Sequence, residues 1–219
     1  NFRSELDFED WLKKNDSVCI SGIDTRTLTR KIREKGAFKA LIHKFDNKDF
    51  NISELKKKIK SESSLNNLDL ASKVSTEKVY QWRRRKKHLL DEKKNNFVKF
   101  IAVIDFGVKE NILNHLESLG YNIIVFPIKF DFKKLISYRP LGIFLSNGPG
   151  DPKATYNQLK KKFKYLTESN VPIFGICLGH QILALANGAN TVKMHHGHRG
   201  ANHPIKNLNN LLVEITVQN

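Results

Sequence analysis

The second half of the chain alternates between apolar runs and amphipathic stretches. "VKFIAVIDFG" (Val98–Gly107) is a near-continuous apolar strand ending in a turn, "KENILNHLESLG" a helix closed by Gly120, and "YNIIVFP" (Tyr121–Pro127) the next strand. "PLGIFLSNGPGDP" runs from a strand into a loop of Gly and Pro, and residues 153–169 form a Lys-rich helix. "VPIFGIC" is again a strand, and "GHQILALANG" a helix stopped by Asn187-Gly188. A strand buried on both faces has no polar side to show, so this rhythm predicts an α/β domain built on a mostly parallel sheet with helices on both faces. In such sheets the chemistry collects at the C-terminal ends of strands. Three loops fall there: Asp105–Val108, Asn147–Asp151 and Gly175–Gly179.

The first half has a different rhythm. Leu6–Asn15 predicts a short helix and "SVCISG" (Ser17–Gly22) a buried strand, which makes Cys19 a structural residue. "IDTRTLTRKIREKGA" predicts a helix with Asp24 as N-cap and a stop at Lys35-Gly36. "AFKALIHKF" (Ala37–Phe45) alternates like a strand, and residues 52–62 form a Lys-rich amphipathic helix. Residues 63–80 hold few large apolar side chains, and 83–97 are strongly charged. The expected organisation is an N-terminal α+β domain over residues 1–82, a charged linker over 83–97 and the α/β domain over 98–219. The chain starts on Asn rather than Met, and "LLVEITVQN" reads as a strand that leads onward. Both domains are therefore expected to be partial, the second truncated at its C-terminal end.

Composition narrows the class of protein. The chain has 219 residues, 40% of them hydrophobic, with only two cysteines in dissimilar contexts and no signal-peptide pattern. A disulfide scaffold is not indicated, and the cytoplasm is the expected compartment. No apolar run approaches the roughly 20 residues that cross a bilayer, so no membrane partner is expected. The net charge of +16 raises nucleic-acid binding. Yet the charge is spread out, and its densest piece, Arg83–Lys87, has no recognition helix, RNP-like motif or Cys/His finger beside it. Solvated basic faces in a Lys- and Asn-rich composition account for it, and no nucleic-acid partner is expected.

Chemistry concentrates on Cys177, which stands between Gly175 and Gly179 after a strand and before a helix. That is the context of a nucleophile elbow. A sharp strand-to-helix turn brings backbone segments together and needs small residues on both sides. The sulfur then projects near a helix N-terminus, whose free amides and dipole favour a thiolate. A buried, inert cysteine on a turn fits the motif alone equally well. The "NGPG" loop (Asn147–Gly150) tips the balance, because attack on a carbonyl creates an oxyanion that needs preorganised donors. The Leu178 amide is one donor by position, and glycine amides of the loop are the best source of another. Gln181, one turn beyond the cysteine, can pair with a polar substrate head or simply face solvent.

"GICLGHQ" with the upstream "LSNGPGDP" resembles the class I glutamine amidotransferases. The glutaminase component of anthranilate synthase carries a very similar elbow, so the other half of the chain must separate the members. "ISGIDTRTLTRKIREKGA" (Ile20–Ala37), "VIDFGVKENIL" (Val103–Leu113) and "HHGHRGANHPI" (His195–Ile205) resemble the small subunits of carbamoyl phosphate synthase. The resemblance implies that Cys177 attacks the side-chain amide of L-glutamine, that ammonia leaves, and that water hydrolyses the glutamyl thioester. It implies that Gly148 and Gly150 form the glutamine and oxyanion loop, that Leu178 and Gln181 contact glutamine, and that Asn219 begins another glutamine-binding loop. The ammonia would pass to a large subunit, which uses ATP and bicarbonate to make carbamoyl phosphate for arginine and pyrimidine synthesis. No cofactor is implied in this chain, and no P-loop or dinucleotide glycine motif occurs in it.

The sequence departs from that family over the base. The family's catalytic histidine and glutamate come from a His-Pro-Glu segment that this chain does not contain, so both are expected beyond Asn219. His203-Pro204 is followed by Ile205 and lies outside the catalytic pair, while His180 is expected to be structural. His195, His196 and His198 lack Cys or acidic partners at ligand spacing, and no metal is expected there. Asp24, Thr25, Arg26 and Arg30 serve either to dock the partner or to cap and brace their helix. Two rivals stand beside this expectation: a cysteine hydrolase active without a partner, and a basic module that binds nucleic acid through residues 82–88.

Overall fold

The expected alternation of strands and helices is present from Phe100 to Ala186 in a computed structural model that describes residue 4 and residues 6–43, 51–90 and 97–218. The chain divides into two units, Asn1–Ser63 with Lys193–Asn219, and Ser64–Val192.

The first unit contains helices α1 (Phe8–Lys14), α2 (Thr25–Lys35) and α3 (Ile52–Ser61). Each starts on a side chain that takes up free amides: Asp7 accepts from Glu9 N, Asp24 from Thr27 N, and Asn51 from Ser53 N and Glu54 N. At α2 the Asp24 carboxylate accepts both the Thr27 amide (2.9 Å) and the Thr27 hydroxyl (2.8 Å), which holds its carboxyl below the usual range. Gly36, at φ 80°, ends this helix as expected. The strands expected at Ser17–Gly22 and from Ala37 to His43 do not form, and Lys44–Phe45 lie outside the described residues. Cys19 is exposed rather than buried. A strand lasts only where a neighbour takes up its N–H and C=O groups, and among the described residues no strand pairs with either segment.

The second unit holds the core. It opens with the short helix α4 (Ala71–Val74), followed by β1 (Tyr80–Arg83), β2 (Lys86–Leu89), β3 (Phe100–Asp105), α5 (Glu110–Ser118) and β4 (Asn122–Pro127). It continues with α6 (Phe132–Ser137), β5 (Gly142–Leu145), α7 (Pro152–Thr167), β6 (Ile173–Gly175) and α8 (Leu178–Ala186). The strands form one sheet in the order β2-β1-β4-β3-β5-β6, parallel from β4 to β6 and antiparallel at the β1–β2 hairpin. Strand alternation sorts the core onto two faces. Phe100, Ala102 and Ile104 pack with Phe132, Leu135, Leu159, Phe163 and Ile182 of α6, α7 and α8. Val103, Ile123, Val125 and Phe144 pack on the other face with Leu113 of α5.

The hairpin replaces part of the linker expected over 83–97. Tyr80 and Trp82 are buried, and Trp82 Nε1–H donates to Asn114 Oδ1 at 3.0 Å, while the charged residues lie on the exposed side. The contacts thus join residues 64–90 to the sheet, although residues up to 82 were expected with the N-terminal domain. Residues 91–96 lie outside the described ones. The chain closes, in the first unit, with β7 (Gly200–Lys206) paired antiparallel to β8 (Val213–Gln218). Among the described residues no helix is long and apolar enough to cross a membrane.

Candidate active site

The three expected loops lie at the C-terminal ends of β3, β5 and β6, which are adjacent and parallel. The β6 loop is an elbow. Ile176 N donates to Leu145 O (3.1 Å), and Gly179 N lies 3.0 Å from both Ser146 O and Ile176 O. The turn is therefore stitched to the end of β5. Between those bonds Cys177 adopts φ 52°, ψ −112°, in the left-handed half of backbone space that L-residues avoid. The glycines on either side follow from the closeness of the turn. A Cβ on Gly175 would sit 2.6 Å from Gly179 C and His180 N, and one on Gly179 would collide with the Leu145 carbonyl.

Cys177 is exposed at the head of α8, and its side chain does not cap the helix. Its carbonyl accepts Gln181 N at 3.0 Å, the first bond of the helix ladder. Leu178 N–H belongs to the first helical turn, whose amides have no partner within the helix. The Leu178 side chain is buried against the β5 loop: a Cβ on Gly148 would lie 2.9 Å from Leu178 Cδ2 and would also strike the Phe106 carbonyl. Cys177, Leu178 and Gly148 are thus brought together. Gly150, at φ 100°, follows two residues on, and Gln181 is exposed on α8.

The loop is held by polar residues that sequence reasoning did not single out. Asn147 Oδ1 accepts Lys109 N (3.1 Å), and its Nδ2 donates to Gly107 O (3.0 Å), locking the β5 loop to the β3 loop. Buried Ser146 accepts Phe106 N through Oγ at 2.9 Å. Asp105 is buried and its Oδ1 accepts Gly107 N and Val108 N, both at 2.8 Å. The Asp-Phe-Gly spacing was the available signal for that turn. Asp151 caps α7 by accepting Lys153 N (2.9 Å) and also accepts Asn67 N (2.9 Å). Burial disfavours its charge, but the amides of Asn67, Lys153 and Ala154 outweigh this, and its carboxyl titrates below the usual range.

The remaining expected residues fall elsewhere. Asn219 lies outside the described residues. His180 is exposed on α8. His195, His196, His198 and His203 belong to the first unit, where successive rings lie 5.2 to 6.4 Å apart and His203 Nε2 contacts Arg199 O at 2.9 Å. Among the described residues no group of three or more His, Cys, Asp or Glu is placed to hold a metal ion.

The sequence that carries this geometry has counterparts in known proteins. Residues 102–219 match the family described as glutamine amidotransferase class-I, and residues 1–42 match the CPSase domain of the carbamoyl-phosphate synthase small chain. The chain is 45% identical over its whole length to the carbamoyl phosphate synthase small chain of Bartonella bacilliformis, covering 55% of that protein. It is 47% identical to the small chain of Buchnera aphidicola subsp. Schizaphis graminum and 43% identical to that of Zymomonas mobilis, again over 100% of this chain, covering 57% and 59% of those proteins. The chain thus spans little more than half the length of the curated relatives it matches.

Proposed function

The chain belongs to the class-I glutamine amidotransferase family, and from that premise we propose that it is the glutamine-hydrolysing part of a carbamoyl phosphate synthase small subunit. The observation that carries the proposal is the exposed Cys177 on a strained elbow, with Gly148 packed against Leu178 at the head of the same helix.

In this reading Cys177 Sγ attacks the side-chain carbonyl of L-glutamine. The developing oxyanion is met by the Leu178 N–H and by an amide of the Gly148–Gly150 loop. The C–N bond breaks, ammonia leaves, and a glutamyl thioester remains. Water then attacks the thioester, releasing glutamate and restoring the thiol. Gln181 and Asn219 orient the glutamine. A histidine held by a glutamate, both beyond Asn219, takes the thiol proton, delivers it to the departing nitrogen and then activates the water.

Ammonia passes to a large subunit that makes carbamoyl phosphate from bicarbonate and ATP, for arginine and pyrimidine synthesis in the cytoplasm. The N-terminal segment docks that partner, and this chain carries no cofactor. In the full-length subunit with its partner, Cys177→Ser should abolish glutamine-dependent synthesis and leave synthesis from added ammonia intact. Equal loss with both nitrogen sources refutes this division of labour.

A further inference from the structure

We propose that residues 67–76 act as a strap that positions the glycine loop of the site, with Asp69 and Thr155 as positioning residues; this rests on assigning Gly148 and Gly150 to the glutamine site. The strap is joined to the loop by bonds that span more than eighty residues of chain. Leu68 O accepts Asp151 N at 3.0 Å, and Asp151 Oδ2 accepts Asn67 N at 2.9 Å, forming a reciprocal pair just after Gly150. The strap backbone lies directly on that glycine. A Cβ at Gly150 would fall 2.8 Å from Leu68 O and 2.9 Å from Leu70 N.

One residue further along, the Asp69 carboxylate links strap and helix. Its Oδ1 accepts the hydroxyl of Thr155, a fully buried residue in the first turn of α7, at 2.9 Å. The same carboxylate accepts Ser72 N (3.2 Å) and Ser72 Oγ (2.5 Å), which fixes it on the strap. The far end is pinned as well. Thr76 N donates to Asp105 Oδ2 at 2.7 Å, and Ile128 N donates to Ser75 Oγ at 2.9 Å. Val74 closes on the β3 loop, since a Cβ at Gly107 would lie 2.9 Å from Val74 Cγ2 and 3.2 Å from Pro149 Cδ.

The chemistry explains why such a strap is needed. An oxyanion donor works only when it is already in place, and a loop with two glycines is conformationally permissive. Freedom must be removed from outside the loop. The strap does so by fixing Asp151 and the start of α7, on which the loop ends.

The test uses the full-length subunit with its partner. Thr155→Val keeps the side-chain shape and removes the donor to Asp69. Amide hydrogen exchange in Gly148–Asp151 should then rise about tenfold, the scale of one hydrogen bond to a charged group, while β3 and β5 keep their protection. Glutamine-dependent kcat should fall by a similar factor with ammonia-dependent synthesis unchanged, and Thr155→Ser should retain wild-type behaviour in both. Because both substitutions cut one link, Asp69→Ala with Thr155→Val should be no worse than Asp69→Ala alone. Unchanged exchange in the loop, or an equal rise across the sheet, overturns the strap. If the wild-type subunit releases no ammonia from glutamine, the glutaminase assignment fails, and the exchange result still decides whether the strap holds the loop.

Discussion

Cys177 holds a backbone conformation that costs an L-residue about 1–2 kcal/mol. Its neighbours have no room for a side chain, so the motif spends stability to present one sulfur. Cys177→Gly should therefore raise the thermal midpoint. Gly179→Ala should lower the midpoint and cost about 1–3 kcal/mol of stability, because the new Cβ meets the Leu145 carbonyl, which is backbone and cannot swing away. Thermal unfolding of both variants checks the pair, and an unaffected Gly179→Ala would show that the elbow is looser than described. Asp151 offers a pH test. Its carboxyl is lowered in the folded chain, so its contribution is complete above the unfolded value of about 3.9 and is lost only as pH falls through the lower folded value. The Asn67 amide resonance should accordingly hold its position from neutral pH down to about 4 and shift below that. A shift centred above 4 would contradict the Asp151–Asn67 bond. The glycines and the cysteine were legible in the sequence because close approach and a sharp turn restrict residue type locally. The partners of Asp105 and Asp151 were not, since Thr76 and Asn67 reach them from distant parts of the chain.

Among the elements, β3, β4 and β5 were readable because strands buried on both faces leave continuous apolar runs, while β6, with Phe174 exposed, was readable as a short apolar run closed by the Gly-flanked elbow. The β1–β2 hairpin was hidden by its own charge. Its inward positions, Tyr80 and Trp82, are separated by Gln81 and followed by a basic run, so the period of two is short and the turn carries no glycine. Arg84 and Arg85 both have positive φ, at 52° and 56°, the conformation for which Asn-Gly is favoured. Glu117 offsets part of the strain by accepting the Arg84 and Arg85 amides at 2.5 and 3.4 Å. Replacing Arg84-Arg85 by Asn-Gly should raise the stability of the sheet unit by about 1 kcal/mol or more, as measured by denaturant unfolding. A loss of stability would mean that the arginine side chains hold the turn. The missing strands at Ser17–Gly22 and after Ala37 make the opposite point. Apolar content alone does not supply the neighbouring strand that pairing requires.

For the whole molecule, burial is divided unevenly. Among the described residues every buried apolar side chain belongs to Ser64–Val192, whereas Asn1–Ser63 with Lys193–Asn219 leaves Val18, Ile215 and Val217 more than half exposed. Hydrophobic rhythm revealed the sheet and helices of Ser64–Val192 from Phe100 onward, but it had no means of showing what covers the exposed apolar side chains of Asn1–Ser63 and Lys193–Asn219. The proposed chemistry falls on the well-packed unit, where the elbow, the glycine loop and the strap meet at one end of the sheet. The central claim is that Cys177 forms a covalent bond to the glutamyl group. Rapid quenching of the full-length subunit with glutamine, followed by peptide mass spectrometry, tests it directly. The expected result is a glutamyl mass increment on the peptide that carries Cys177, absent from Cys177→Ser and cleared as glutamate appears. Ammonia release with no adduct on that peptide, or an adduct on Cys19 instead, would contradict it.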